Sequence, residues 1–266
     1  MNQRPFAIVQ YQQGETDVLL GEPPRTAYDL NFAIAGIPVR VHPWFWAVSA
    51  LFGLSATGGE LSLLAMWVAV AFVSILVHEL GHALTIRAYG GRPWITLYGM
   101  GGLASHQPLR IGPSGNILIL LAGPLAGFAL AAAVVAAVAF SGHQIDVFGW
   151  RFGSGPGIDP REQLHLFILI QFLLWVNIFW GIINLFPVYP LDGGQIAREL
   201  FLVVNPRGGI QQALWLSVLT GIGLAVFGIV RLGSLYTALF FGFLAYQSYT
   251  IWRAYTGSDY RSGRGW

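Results

Sequence analysis

Residues 61–88 read LSLLAMWVAVAFVSILVHELGHALTIRA. The run is longer than the ~20 apolar residues a helix needs to cross a hydrocarbon layer, yet it carries two histidines and a glutamate near its end. An ionised side chain at mid-membrane costs on the order of 2.5–3.5 kcal/mol on insertion scales, and less near the interface. Glu79, flanked by His78 and His82, therefore needs a compensating partner, and a divalent cation supplies one. The whole chain agrees with a bilayer setting. Of its 266 residues, 55% are apolar and 10% charged, against about 25% charged in a soluble domain, and the mean hydropathy is +0.60. That balance excludes disorder, a nucleic-acid-binding protein and a simple water-soluble enzyme. A net charge of +2 calls for no polyanionic partner, and with no cysteine neither a disulfide framework nor a thiolate metal site is available.

Outward from this run, apolar stretches at 43–56, 116–140, 163–186, 212–230 and 234–254 predict five further helices, the first of them short. Gly/Pro-rich material at 187–211 holds one small helical piece, 195–204. The expected fold is an all-α membrane protein of six transmembrane helices with a small membrane-associated β-hairpin. With the N-terminus cytoplasmic, the inner segments hold Arg4, Arg25, Arg40, Arg87, Arg92, Arg110, Arg198, Arg207, Arg253, Arg261 and Arg264. The outer segments hold only Arg151, Arg161 and Arg231. Eleven against three follows the positive-inside rule, so both termini are expected in the cytoplasm.

Residues 1–31 are polar, lack the apolar run of a cleavable signal peptide and read as a soluble N-terminal arm. The membrane core is expected over 32–254 and a cytoplasmic tail over 255–266. Residues 32–41 (FAIAGIPVRV) read as a short interfacial strand. Residues 92–111 are too short and Gly-rich for a span, and their alternation at 95–97 and 103–105, split by Gly99, Gly101 and Gly102, predicts a hairpin. Turn chemistry accounts for Gly101 and Gly102; a sharper reading has the hairpin offering a strand edge that holds a peptide extended. Residues 142–162 read as a Gly-rich outer loop. Trp44, Trp46, Trp150 and Trp252 fall near span ends, as interfacial anchors do.

The chemistry concentrates in His78-Glu79-Leu80-Gly81-His82. Positions i and i+4 share a helix face, so two imidazoles can meet one ion while Glu79 reaches a bound water as general base. A catalytic zinc usually takes three protein ligands and keeps a position open. His42, His106, His143 and His165 read more simply as interfacial histidines, and Asp146 and Asp159 lie in the outer loop. Asp192 stands apart, in Asn184-Leu185-Phe186-Pro187-Val188-Tyr189-Pro190-Leu191-Asp192-Gly193-Gly194. Two prolines break the helix, and irregular backbone at membrane depth is tolerated only inside protein or beside a wet cavity. Asp192 is then a metal-ligand or transport-site candidate, or else a cap for the helix that follows. Spans two and four run in the same direction, so His82 and Asp192 both lie toward the cytoplasmic face. Gly123 and Gly127, in Ala122-Gly123-Pro124-Leu125-Ala126-Gly127, read first as a small-xxx-small packing face, and second as part of an active-site surround.

HELGH in an early span, the A-G-P element and N-x-x-P-x-x-P-L-D-G-G together resemble the site-2 protease family of intramembrane zinc metalloproteases, over about residues 36–254. The resemblance implies a six-helix membrane core binding one Zn2+ per chain through His78, His82 and Asp192. Glu79 would activate water, and Asn184 would help hold the scissile carbonyl. The implied substrate is a transmembrane segment of another protein, cut in regulated intramembrane proteolysis, with membrane lipid as the surround and a homodimer left open. Tyr189 departs from the pattern, standing where many members have proline. This chain shows neither the PDZ insert nor the cystathionine-synthase-type domain that some members carry. Short loops suggest a prokaryotic cytoplasmic (inner) membrane. The alternatives are a membrane metal transporter, disfavoured because spans three, five and six are almost free of ionisable groups, and a non-catalytic adaptor derived from a protease, disfavoured by the intact Glu79. A zinc peptidase that clips prenylated C-termini would need a glutamate ligand, for which only Glu162 and Glu199 stand later in the chain.

Overall fold

The computed structural model describes residues 22–261, with side chains through residue 256. Most of the predicted arm and the last residues of the tail lie outside that range. The order of elements is β1 (Leu30–Ile34), β2 (Ile37–Val41), α1 (Pro43–Thr57), α2 (Leu61–Ala88), β3 (Pro93–Tyr98), β4 (Gly101–His106), α3 (Pro113–Phe140), β5 (Ile145–Val147), β6 (Trp150–Phe152), α4 (Leu164–Asn184), α5 (Asp192–Val204), α6 (Gly209–Val230) and α7 (Leu235–Arg261). Among the described residues, α2, α3, α4 and α6 are long and apolar enough to cross a membrane. At 15 residues, α1 falls below the ~20 that a span requires.

Local chemistry sets the boundaries. Pro43 and Pro113 start α1 and α3 at the first helical turn, where a missing N–H costs nothing. The Glu60 carboxylate accepts the Ser62 and Leu63 N–H groups, both at 3.1 Å, capping α2. At its C-terminal end, α1 stops at Gly58, whose φ of 60° is left-handed backbone that glycine adopts freely.

The β structure is larger than a single hairpin. Residues 32–41 do not form one strand: the chain turns at Ala35 and Gly36, with φ of 50° and 77°, giving the two-residue connection whose twist suits a tight hairpin. β2 then pairs in parallel with β3, Val39 opposite Ile95 and Val41 opposite Leu97, across the crossover made by α1 and α2. The sheet order is β1-β2-β3-β4. Its apolar side, including Ile37, Val39, Val41, Ile95 and Leu97, forms one core with Phe45 of α1 and Ile75, Leu76 and Ala83 of α2. This packing carries the edge strand β4 to α2. Segment 142–162, expected as an outer loop, is also not all loop, since β5 and β6 form a short antiparallel pair within it.

Arg40, 7% exposed, fastens the segment before β1 to this sheet. Its guanidinium donates to Glu22 Oε1 at 2.9 Å, to Asp29 Oδ2 at 3.1 Å and to the Pro23 carbonyl at 2.9 Å. Glu22 also accepts from Thr96 (2.6 Å) and Trp94 (3.2 Å) of β3. Burial opposes ionisation of the Glu22 carboxyl, but the bonds from Thr96, Trp94 and Arg40 outweigh it and hold the carboxyl below its ordinary value. At Asp29 burial likewise raises the pKa, and bonds from Thr26 and Arg40 bring the net shift downward.

Candidate metal centre

α2 continues unbroken through HELGH, so His78 and His82 lie one turn apart on the same face. Both are buried, and their Nε2 atoms stand 3.1 Å apart. His82 Nδ1 lies 2.7 Å from the Ile119 carbonyl of α3. A carbonyl can only accept, so Nδ1 carries the proton, and Nε2 of the neutral ring keeps its lone pair for a ligand. α4 ends just before Pro187 and Pro190, and α5 begins at Asp192. The Asp192 carboxylate places Oδ2 3.2 Å from His78 Nε2 and Oδ1 3.5 Å from His82 Nε2. One donor atom from each of the three buried residues lies within 4.8 Å of the others.

Two further observations fit this cluster to a cation. Asp192 Oδ2 is buried and, although 3.2 Å from His78 Nε2, makes no well-aligned hydrogen bond, an expensive condition for a carboxylate oxygen unless a positive charge serves it. Gly123 of α3 presents bare backbone to the cluster: a Cβ there would collide with Nε2 of both histidines, so the face of α3 leaves room where the three donors point. Two imidazoles and a carboxylate form a donor set that zinc takes, with a coordination position left over.

Glu79 is 5% exposed and points toward β4. Its Cγ and carboxylate occupy the space that a side chain on Gly102 would need. Gly101 and Gly102 are therefore strand residues, and the turn falls at Gly99 and Met100. Gly101 has φ of 119°, and the Trp180 indole of α4 packs over it. Turn chemistry does not account for this pair. Gly102 permits the close approach of the carboxylate, and Gly101 a backbone angle that L side chains rarely adopt.

The remaining candidates are accounted for elsewhere. Asp192 does not cap α5: Leu191 holds the N-cap position and makes no side-chain cap bond. His42 Nδ1 accepts the Trp44 N–H at 3.2 Å and caps α1. His106 Nδ1 meets the Gln107 carbonyl, and His143 Nδ1 the Ser141 hydroxyl. Glu199 is buried but is not one of the clustered donors, accepting instead from Asn116 Nδ2 and Arg198 Nη2, each at 3.0 Å. Asn184 is buried, and its amide nitrogen donates to the Trp180 carbonyl in its own helix at 2.9 Å.

Residues 159–228 match the family model of peptidase family M50. The solved site-2 protease from Methanocaldococcus jannaschii superposes with a TM-score of 0.56 at 26% identity, over 83% of this chain and 95% of that one. A zinc metalloprotease of the same organism is 29% identical over 171 residues, 64% of this chain and 44% of that protein. By these matches the chain is similar to zinc metalloproteases of the site-2 protease type. Stage IV sporulation protein FB of Bacillus subtilis is also 29% identical, over 70% of this chain and 54% of its own length. The chain thus spans about half the length of these curated relatives.

Within the cluster's surround, Gly123 and Gly127 divide the two readings of their motif. Gly127 packs against Asn177 of α4, as a small-residue face does, whereas Gly123 abuts the histidines. Sequence reasoning also passed over Asn177, 2% exposed, whose amide donates to Ser74 Oγ at 2.9 Å. Ser74 precedes His78 by one turn. The available signal was a lone asparagine inside an apolar run, where a polar group needs a partner.

Proposed function

We propose that this chain is an intramembrane zinc endopeptidase that hydrolyses a peptide bond within or near a transmembrane segment of a membrane-protein substrate, as in regulated intramembrane proteolysis. The convergence of His78, His82 and Asp192 on one buried point, with Glu79 beside it at a strand edge, carries the reading. These three side chains would hold one zinc ion per chain. When bound, zinc acts as a Lewis acid, lowering the pKa of water from 15.7 toward ~7 and polarising the scissile carbonyl.

Glu79 takes a proton from water and returns it to the leaving amine. A helical peptide bond has its carbonyl already hydrogen-bonded, so the substrate must unwind locally. β4, at the end of the sheet, offers its outer edge for strand addition, and the backbone at Gly101 and Gly102 would bring the peptide beside Glu79. Asn184 would support the scissile carbonyl by releasing its bond to Trp180. In the six-span arrangement with both termini in the cytoplasm, the site lies toward the cytoplasmic side and product leaves inward. The short loops support a prokaryotic cytoplasmic membrane as its location.

Glu79→Gln tests the assignment. The variant is expected to retain zinc and to lose cleavage of a helical membrane substrate by about 10²–10⁴-fold, the usual contribution of a general base. Full activity would remove Glu79 from that role. A liposome flux assay separates this reading from metal transport: zinc movement across the bilayer without proteolysis would favour the transporter.

A further inference from the structure

The segment between α4 and α5, residues 185–191, is neither helix nor strand and leads directly into Asp192, the first residue of α5. At membrane depth every N–H and C=O in it must find a partner. Part of that requirement is met locally. Leu185 and Phe186 N–H close onto the last turn of α4, and Leu191 N–H donates to the Val188 carbonyl at 2.9 Å. Pro187 and Pro190 have no N–H to satisfy. The Pro190 carbonyl accepts from Gln195 Nε2 at 3.0 Å.

Tyr189, midway between the prolines, is served by side chains from outside the segment. Its N–H donates to Ser217 Oγ of α6 at 3.1 Å, and its carbonyl lies 3.3 Å from Ser248 Oγ of α7. Ser217 and Ser248 are 1% and 0% exposed. Ser217 passes its own proton to the Ala213 carbonyl at 2.9 Å, which leaves its oxygen free to accept from Tyr189. Ser248 shares one proton between the Tyr189 and Leu244 carbonyls. Two helices that supply no metal ligand thus grip both polar atoms of one residue, three positions before Asp192.

We propose that Ser217 and Ser248 are positioning residues for the third zinc ligand: together they pin the Tyr189 backbone so that the Asp192 carboxylate meets His78 and His82. The proposal rests on the zinc reading given above. Deleting the hydroxyls leaves a buried N–H and C=O without partners, a loss the segment recovers by shifting. A shift of the segment moves Asp192 and leaves the α2 histidines where they are.

The test is a double-mutant cycle on the full-length, detergent-purified chain, with zinc affinity read by chelator competition. Ser217→Ala with Ser248→Ala is expected to weaken zinc binding about 10–100-fold, the range for outer supports of metal ligands, with each single variant in between. In an Asp192→Ala background, where two histidines alone hold the ion, the same serine changes are expected to alter affinity less than about twofold, because their effect runs through Asp192. Ser49→Ala, which removes another buried serine hydroxyl, on α1, is expected to leave affinity unchanged. Equal losses in both backgrounds, or no loss in the singles and the double, would overturn the proposal while the zinc reading stands. A parent chain that takes up no zinc overturns both.

Discussion

The two halves of the metal cluster are built in opposite ways. His78 and His82 come from an unbroken helix, where the period of the α-helix alone brings residues four apart onto one face. Asp192 opens α5 directly after a broken segment, which is held by two prolines, a glutamine of the first turn of α5 and hydroxyls from α6 and α7. One half is local geometry, and the other is tertiary support. The comparison teaches that damage far from the ion can reach the carboxylate side, whereas the histidine side yields only to changes in direct contact with it.

The strongest way to break this contrast is to delete Asp192. Asp192→Ala is expected to reduce zinc affinity by more than the 10–100-fold that outer supports are worth, measured as bound metal after dialysis of the purified protein. Equal occupancy in variant and parent would show that the histidines need no third partner. The histidine side is sharpened by a pair of glycines on α3. Gly123→Ala puts a methyl group against both Nε2 atoms. It is expected to strip zinc and to cost about 1–3 kcal/mol, as overpacking does. Gly127→Ala, where a Cβ would meet the Asn177 carbonyl at 3.4 Å, is expected to be near neutral, because a helix-propensity gain of about 1 kcal/mol offsets the tight contact. Thermal unfolding in detergent with zinc analysis distinguishes the two, and equal effects would erase the difference between them.

The smallest effect concerns a region attached to neither half. Glu22 and Asp29 are held below their ordinary values, so the stability they lend to the arm is present above about pH 4. It is lost as the pH falls through their lowered folded values. Amide exchange over residues 22–29 should rise in that acidic window while zinc stays measurable at neutral pH. Unchanged exchange between pH 5 and pH 2 would mean that Arg40 does not secure the segment through these carboxylates.

What the sequence made legible follows the same division. The apolar runs correspond to α1–α4, α6 and α7 because long helices announce themselves by local composition, and HELGH is readable because its geometry is intrahelical. The break at Pro187 and Pro190 was visible, but the short helix begins at Asp192 rather than at residue 195, since nothing in a Gly-Gly pair declares a helix start. The parallel pairing of β2 with β3 was hidden, because its partners are separated by two helices and strand register across a crossover leaves no local mark. Gly102 and Gly123 read first as turn and packing residues, and second as parts of a peptide-holding strand edge and an active-site surround. Their use emerges only when Glu79 and the imidazoles occupy the space that a Cβ would fill. Ser217 and Ser248 sit in apolar helices with no spacing that ties either to residue 189.

The outer edge of β4, the last strand of the sheet, has one more consequence. A chain laid along it would run about 4.8 Å away and advance about 3.4 Å per residue. On the proposed docking, the cut would move only in whole-residue steps. Each step would also flip which side chains face Glu79 and which face Trp180, so an odd slip in alignment would present the wrong half of the substrate's side chains.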